Sequence, residues 1–145
     1  MAVKKLIIGR TDRADFPKLE IKGIDIKIDT GAYTSSIHCK DIEETDGVLY
    51  ATLLDEEHEQ YHGKRLNFEE YEVTSVRSSN GTVDLRYKVQ ANIRLFKKLY
   101  KISLTLSNRE EMKYPVLIGR KFLSSKFIVD TELQDISYLQ SQNED

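Results

Sequence analysis

Asp29, Thr30 and Gly31, in "IKIDTGAYTSS" (26–36), place a carboxylate, a hydroxyl and a glycine at the end of an alternating apolar run. A buried strand end raises the pKa of a lone carboxylate. The glycine lets the chain turn sharply and brings a backbone N–H to that carboxylate, and the hydroxyl can fix the turn by hydrogen bonding. One such turn makes a positioned carboxylate. Two face to face make a dyad that shares one proton, because like charges so close cannot both ionise. A water held between them attacks an amide carbonyl, with one group as base and the other as acid. The chain supplies a single Asp-Thr-Gly turn, so this chemistry requires a symmetric homodimer with Asp29 of each subunit on the two-fold axis. The competing reading is a structural Asp-Gly turn without chemistry.

A second stretch, "HEQYH" (58–62), fits H-E-x-x-H, in which two histidines at i and i+4 on one helix face bind zinc beside a glutamate base. Its setting argues against that use. Tyr61 is the only apolar residue between Leu54 and Leu66, and Gly63 interrupts any helix. The remaining histidine, His38, lies upstream, and the downstream Glu69 and Glu70 sit in strand-like sequence. The favoured reading is a charged, mobile loop. A zinc peptidase using His58, Glu59 and His62 is the weaker alternative.

Other chemistries find little support. Cys39 is the single cysteine, so no intrachain disulfide forms, which fits a reducing cytoplasm. His38 is its neighbour, but adjacent strand residues point to opposite faces, so Cys39 reads as a buried thiol. Ser35, Ser36 and His38 lack the glycine elbow of a serine hydrolase. No G-x-x-x-x-G-K-[ST] loop is present, so this chain is not expected to hydrolyse ATP, and no cofactor is implied.

These residues need a scaffold, and the pattern for it is strand. Leu19 and Ile21, then Ile24, Ile26 and Ile28, alternate with charges, and the reading is two strands meeting at a tight turn at Lys22-Gly23. Strands are also expected over 3–9, 47–54, 98–107, 114–119 and 126–130. A long hairpin spans 68–96, with Asn80-Gly81 at its tip. Helix is expected only over 120–125 and around 109–113. The stretch "FIVDTE" (127–132) echoes "IKIDTG" without the glycine. About eight or nine short strands with one short helix read as an all-β domain, a small closed barrel over 1–139, followed by a polar tail at 140–145.

With 145 residues, 39% of them hydrophobic and 32% charged, and a net charge of −2, the chain reads as one soluble domain with no electrostatic footprint for nucleic acid. No run of apolar residues is long enough for a membrane span, and the N-terminus does not read as a secretory signal.

"IDTGA" followed about ninety positions later by "VLIGRKFL" resembles the retropepsins, the single-lobe aspartic proteases. The likeness is closer to a bacterial and archaeal retropepsin-like family, often labelled ATP-dependent zinc proteases and found beside ATP-grasp ligases of the RimK type. "IGRTD", "IKIDTGAYTSSIHC", "VRSSNGTVDLRY", "LSNREEMKYPVLIGRKFL" and "FIVD" occur in that family's order over residues 6–130. The resemblance implies a retropepsin-like closed barrel with a short C-terminal helix, with Asp29 as catalytic carboxylate, Thr30 and Gly31 shaping its turn and Ala32 packed close. Ile118 and Gly119 would pack under the turn, and Arg120 would brace the dimer. Lys27, two residues before Asp29, would share its strand face and modulate its charge. His38, Arg109 and Arg120 would form a polar network around the site or the interface. The spacing from the aspartate turn to the Gly-Arg motif exceeds that of a minimal retropepsin, which leaves two candidate flaps, the 55–64 loop and the hairpin tip Ser78–Thr82. The implied activity is hydrolysis of a peptide or a glutamyl-type amide made by an ATP-grasp ligase. The alternative is a homodimeric module that binds peptide without cutting it.

Overall fold

The computed structural model describes residues 4–77, 80–108 and 113–143. In chain order the strands are β1 (Leu6–Ile8), β2 (Thr11–Phe16), β3 (Ile21–Ile28), β4 (Ser35–Thr45), β5 (Val48–Leu53), β6 (Arg65–Phe68), β7 (Glu72–Arg77), β8 (Val83–Leu95), β9 (Lys98–Ser107), β10 (Val116–Ile118) and β11 (Phe127–Val129). Two helices, α1 (Arg120–Leu123) and α2 (Ile136–Gln142), complete the chain.

The barrel closes as the resemblance implies. Neighbours run β10, β3, β2, β8, β9, β4, and β4 pairs back to β10. Three additions flank this ring of six strands: β5 and β6 extend from the second half of β4, β7 pairs with β8, and β1 pairs with β11 in a separate two-stranded sheet. Alternation decides which side faces in. Along β3, Ile21, Ile24, Ile26 and Ile28 are buried while Lys22, Asp25 and Lys27 are exposed. Burying each isoleucine contributes about 1.5–3 kcal/mol. Phe122 of α1 and Phe127 of β11 pack on Tyr100 of β9, with ring centroids 5.7 Å apart in both contacts, which fastens α1 to the barrel wall.

The structure corrects the sequence reading in two places. No turn occurs at Lys22-Gly23. Pro17 instead starts a 3-10 turn over Pro17–Leu19, Glu20 adopts a left-handed conformation, and β3 runs on through Gly23. Gly23 takes φ +67°, and its N–H donates to Asp15 Oδ1 at 2.8 Å, so the glycine serves as an irregularity inside a strand rather than as a hairpin tip. The second correction is α2, which carries residues 136–142. The buried carboxylate of Asp12 fixes its start by accepting the N–H groups of Ser137 at 2.9 Å and Tyr138 at 3.0 Å. Local sequence gave no sign of this because the capping group lies more than a hundred residues upstream. Burial pushes the Asp12 carboxyl above its ordinary range, against the pull of those N–H donors. Most of the helix expected around 109–113 lies outside the described residues.

Candidate active site

Asp29 directly follows β3, and the chain then turns through Ala32 toward β4. β3 and β4 do not pair with each other. β10 lies between them, parallel to β3 (Ile118 beside Ile28) and antiparallel to β4 (Leu117 beside Ser36). The turn is tied at every step. Asp29 N–H donates to Ile118 O at 2.8 Å, Gly31 N–H to Asp29 Oδ1 at 3.1 Å, and Ala32 N–H to Asp29 O at 3.1 Å. Gly31 is not in the left-handed region. A Cβ there would meet Asp29 Oδ1 at 3.3 Å, so the glycine permits close approach to the carboxylate rather than an unusual φ.

The Ile118-Gly119-Arg120 segment closes the turn from below. Arg120 donates from its N–H to Ala32 O at 2.8 Å and from Nη1 to Thr30 O at 2.9 Å, and its guanidinium lies 5.8 Å from the Tyr33 ring centroid. Gly119 N–H donates to Ser35 Oγ at 3.0 Å. Arg120 thus grips the turn of its own chain. The Thr30 hydroxyl makes no hydrogen bond among the described residues, and the backbone carbonyl of Thr30 is the point held. Asp29 itself is half-buried and Thr30 and Gly31 are exposed, so the carboxylate stands at an open surface. Lys27 lies on the exposed side of β3 and makes no ion pair with Asp29 among the described residues.

His38 belongs to another network. The residue is 5% exposed, and Nε2 lies 2.9 Å from Asp55 Oδ2, while Asp55 Oδ1 receives His58 Nδ1 at 3.0 Å and Glu57 N–H at 2.9 Å. Among the described residues, Nδ1 of His38 has no partner. His62 turns to the Leu19 carbonyl at 3.0 Å. Residues 55–63 form turns and coil, so His58 and His62 do not share a helix face and the H-E-x-x-H geometry is not formed. Among the described residues no group of three His, Cys, Asp or Glu is placed to hold a metal ion. Asp55, which sequence reasoning passed over, therefore anchors the 55–62 loop to β4. Burial pushes its carboxyl up, but the Glu57 N–H and the two histidines together hold it net below the usual 3.8. Its contribution to stability is present above the unfolded value and is lost as pH falls through the lowered folded value. Asp55→Ala removes the partner of the buried His38 Nε2, which costs about 1–3 kcal/mol. The expected outcome is a lower urea midpoint and faster proteolysis within 55–62. Cys39 is buried beside this network, and burial pushes its thiol up to about 12, which makes it unreactive near neutral pH.

A groove of about 490 Å³ begins at Tyr33, Thr34 and Ser35, directly after the aspartate turn. Ile102 and Phe122 line it together with Lys88, Lys101, Lys121 and Lys126. No carboxylate is among its described lining residues, but Glu72 of β7 pairs with Lys88 Nζ at 2.8 Å. Thr74, Ser75 and Lys88 of the β7–β8 hairpin form one wall. The hairpin, rather than the 55–64 loop, thus borders this groove, although Ser78 at its tip lies outside the described residues. Arg109 does so too. No sequence motif marked the lysines, which come from β8, β9, α1 and the α1–β11 connection and meet only in the fold.

A family model described as "RimB-like: Retropepsin-like aspartic endopeptidase RimB" matches residues 7–140. A "Probable alpha-L-glutamate ligase" of Desulfotalea psychrophila is 31% identical over 142 residues, covering 91% of this chain and 29% of that protein. One of Shewanella pealeana is 33% identical over 136 residues, covering 90% and 29%. The chain thus spans less than a third of the length of these curated relatives. The crystal structure of Lpg0085, a protein of unknown function from Legionella pneumophila, superposes with a TM-score of 0.70 at 28% identity, covering 92% of this chain and 99% of that one. The family match runs from the first strand to the last helix and takes in both the Asp29 turn and the segment that clamps it, so the chain belongs to the RimB-like family of retropepsin-like aspartic endopeptidases.

Proposed function

We propose that this protein is an aspartic peptidase that works as a homodimer, with Asp29 of each subunit sharing one catalytic water. The observation that carries this reading is the clamped Asp29 turn, whose carboxylate is fixed in place yet stands at an open surface. In the dimer one Asp29 takes a proton from the water as its oxygen bonds to the amide carbon. The other gives its proton to the carbonyl oxygen. The resulting tetrahedral species collapses as the C–N bond breaks: the amine leaves with the proton that the first Asp29 took from the water, and the second Asp29 regains its proton from a hydroxyl of the gem-diol as the carboxylic acid forms.

The substrate in this reading is a peptide or amide rich in glutamyl groups. Relatives named as alpha-L-glutamate ligases support it, because a segment similar to this chain makes up 29% of their length. The lysines of the groove beside the turn support it as well, Lys101 and Lys121 above all, because Lys88 is already paired with Glu72 at 2.8 Å and Lys126 Nζ donates to Phe122 O at 2.9 Å. A glutamate ligase is the proposed partner and the cytoplasm the proposed site of action.

The test is cleavage of a library of acidic and neutral peptides across protein dilutions, with and without a chelator. The expected result is cleavage that prefers acidic peptides, falls in specific activity as the protein is diluted below its dimer dissociation constant, and ignores the chelator. Loss of activity with the chelator overturns the aspartic mechanism. Binding of acidic peptides without cleavage under any condition replaces the peptidase with a binding module.

A further inference from the structure

The echo between "IKIDTG" and "FIVDTE" is structural. Asp130, at the end of β11, turns the chain as Asp29 does at the end of β3. Its N–H donates to Ile8 O at 2.9 Å, as Asp29 N–H does to Ile118 O at 2.8 Å. Glu132 N–H reaches Asp130 Oδ1 at 3.0 Å, as Gly31 N–H reaches Asp29 Oδ1 at 3.1 Å. Leu133 N–H closes on Asp130 O at 3.1 Å, the counterpart of the Ala32 bond at the same distance.

The clamp is repeated too. Ile8-Gly9-Arg10 stands to the Asp130 turn as Ile118-Gly119-Arg120 stands to the Asp29 turn. Arg10 N–H donates to Leu133 O at 2.8 Å and Arg10 Nη1 to Thr131 O at 3.3 Å, matching the two bonds of Arg120. Gly9 and Gly119 are both buried, and a Cβ at either would strike a backbone carbonyl, Leu133 O of the Asp130 turn at 2.2 Å and Thr34 O just after the Asp29 turn at 2.5 Å. Each turn ends a strand that runs parallel to the strand carrying its Gly-Arg pair.

The two copies meet at Arg10. Its carbonyl accepts the N–H of Ile28 at 2.9 Å, one residue before Asp29. On the other side of the same strand end, Asp29 N–H is held by Ile118 O at 2.8 Å. The end of β3 is therefore gripped from two sides, and one of the two grips is fixed in place by the Asp130 turn. We infer that Asp130 is a positioning residue, which through Arg10 fixes the strand end that presents Asp29. The inference rests on the peptidase reading and names a second element that the reaction depends on.

Asp130→Ala removes the acceptor of the Glu132 N–H and so loosens the turn whose carbonyls hold Arg10. The expected result is a fall in kcat of about 10- to 100-fold with KM unchanged, together with faster hydrogen exchange at the Ile28 amide. Asp130→Asn keeps an Oδ1 acceptor and should retain near wild-type kcat and exchange. Arg10→Gln, which removes the guanidinium bonds and leaves the turn sequence intact, should reproduce the alanine result and decides the matter should Asp130→Ala not fold. A kcat as low in Asp130→Asn as in Asp130→Ala overturns the positioning role, because charge rather than turn geometry would then matter. Unchanged Ile28 exchange in Arg10→Gln overturns it as well. The exchange measurement needs no substrate. An inactive wild type would therefore sink the peptidase reading and still leave the Ile28 amide to decide this one.

Discussion

Asp29→Asn is expected to lower kcat/KM by about 10³-fold or more, while the melting temperature stays within a few degrees of wild type. Both halves of the expectation come from the turn. The substituted amide side chain keeps an Oδ1 that can accept the Gly31 N–H, which lies 3.1 Å from Asp29 Oδ1 in the wild type, and every backbone bond of the turn is untouched. The amide cannot take a proton from water, so the dyad loses its base in both subunits at once. A mixed dimer with one wild-type subunit should be nearly as inactive as the double variant, since one carboxylate cannot serve as both acid and base for the same water. Cleavage assays on the peptide selected from the library, with circular dichroism as the fold control, read both quantities. An Asp29→Asn variant that keeps more than a tenth of the wild-type rate would refute the aspartic mechanism.

Gly119→Ala should damage fold and site together. The backbone of Gly119 is extended, with φ −97° and ψ 177°, so alanine meets no conformational strain there. The obstacle is steric. A Cβ would lie 2.5 Å from Thr34 O and 2.7 Å from Tyr33 O, and both are backbone atoms of the segment leading from the aspartate turn. Relief requires moving that segment away from α1. The move stretches the bonds from Arg120 and Lys121 N–H to Ala32 and Tyr33 O, now 2.8 and 2.9 Å. Overpacking of this kind costs about 3 kcal/mol, a fall in melting temperature on the order of 10 °C for a chain of this size. Because the displaced segment carries the Asp29 turn, the surviving folded protein should also lose activity. Thermal unfolding followed by assay well below the new midpoint separates the two effects. Gly119→Ala with wild-type stability would mean that the turn and the helix can separate freely, contrary to their close packing.

Much of the scaffold was legible in the sequence because its signals are local. The alternation of isoleucines in 21–28 states which face of β3 is buried, and Asn80-Gly81 marks the hairpin joining β7 and β8, with Gly81 at φ +87°. The strand boundaries around Lys22-Gly23 were misread because a glycine at positive φ reads alike at a hairpin tip and at an irregularity within a strand. The histidine pair 58 and 62 likewise had helical spacing but no helix, since spacing carries meaning only once the local backbone is known.

What the sequence by itself determined was the chemistry on offer and its local geometry. A carboxylate followed two residues later by a glycine fixes a turn in which the Gly31 N–H meets the Asp29 side chain, and that depends on neighbouring residues alone. The sequence also contained Ile-Gly-Arg twice and Asp-Thr twice, at 8–10 and 118–120 and at 29–30 and 130–131. It did not say which clamp serves which turn. Only the tertiary structure decided that, by running β10 beside β3 and β1 beside β11. The same holds for Asp12 at the start of α2, for Asp55 between two histidines, and for the lysines gathered along the groove. Each of these joins residues far apart in the chain. Such contacts are set by how the barrel closes to bury its isoleucines and leucines, an outcome of the whole chain that no local pattern encodes.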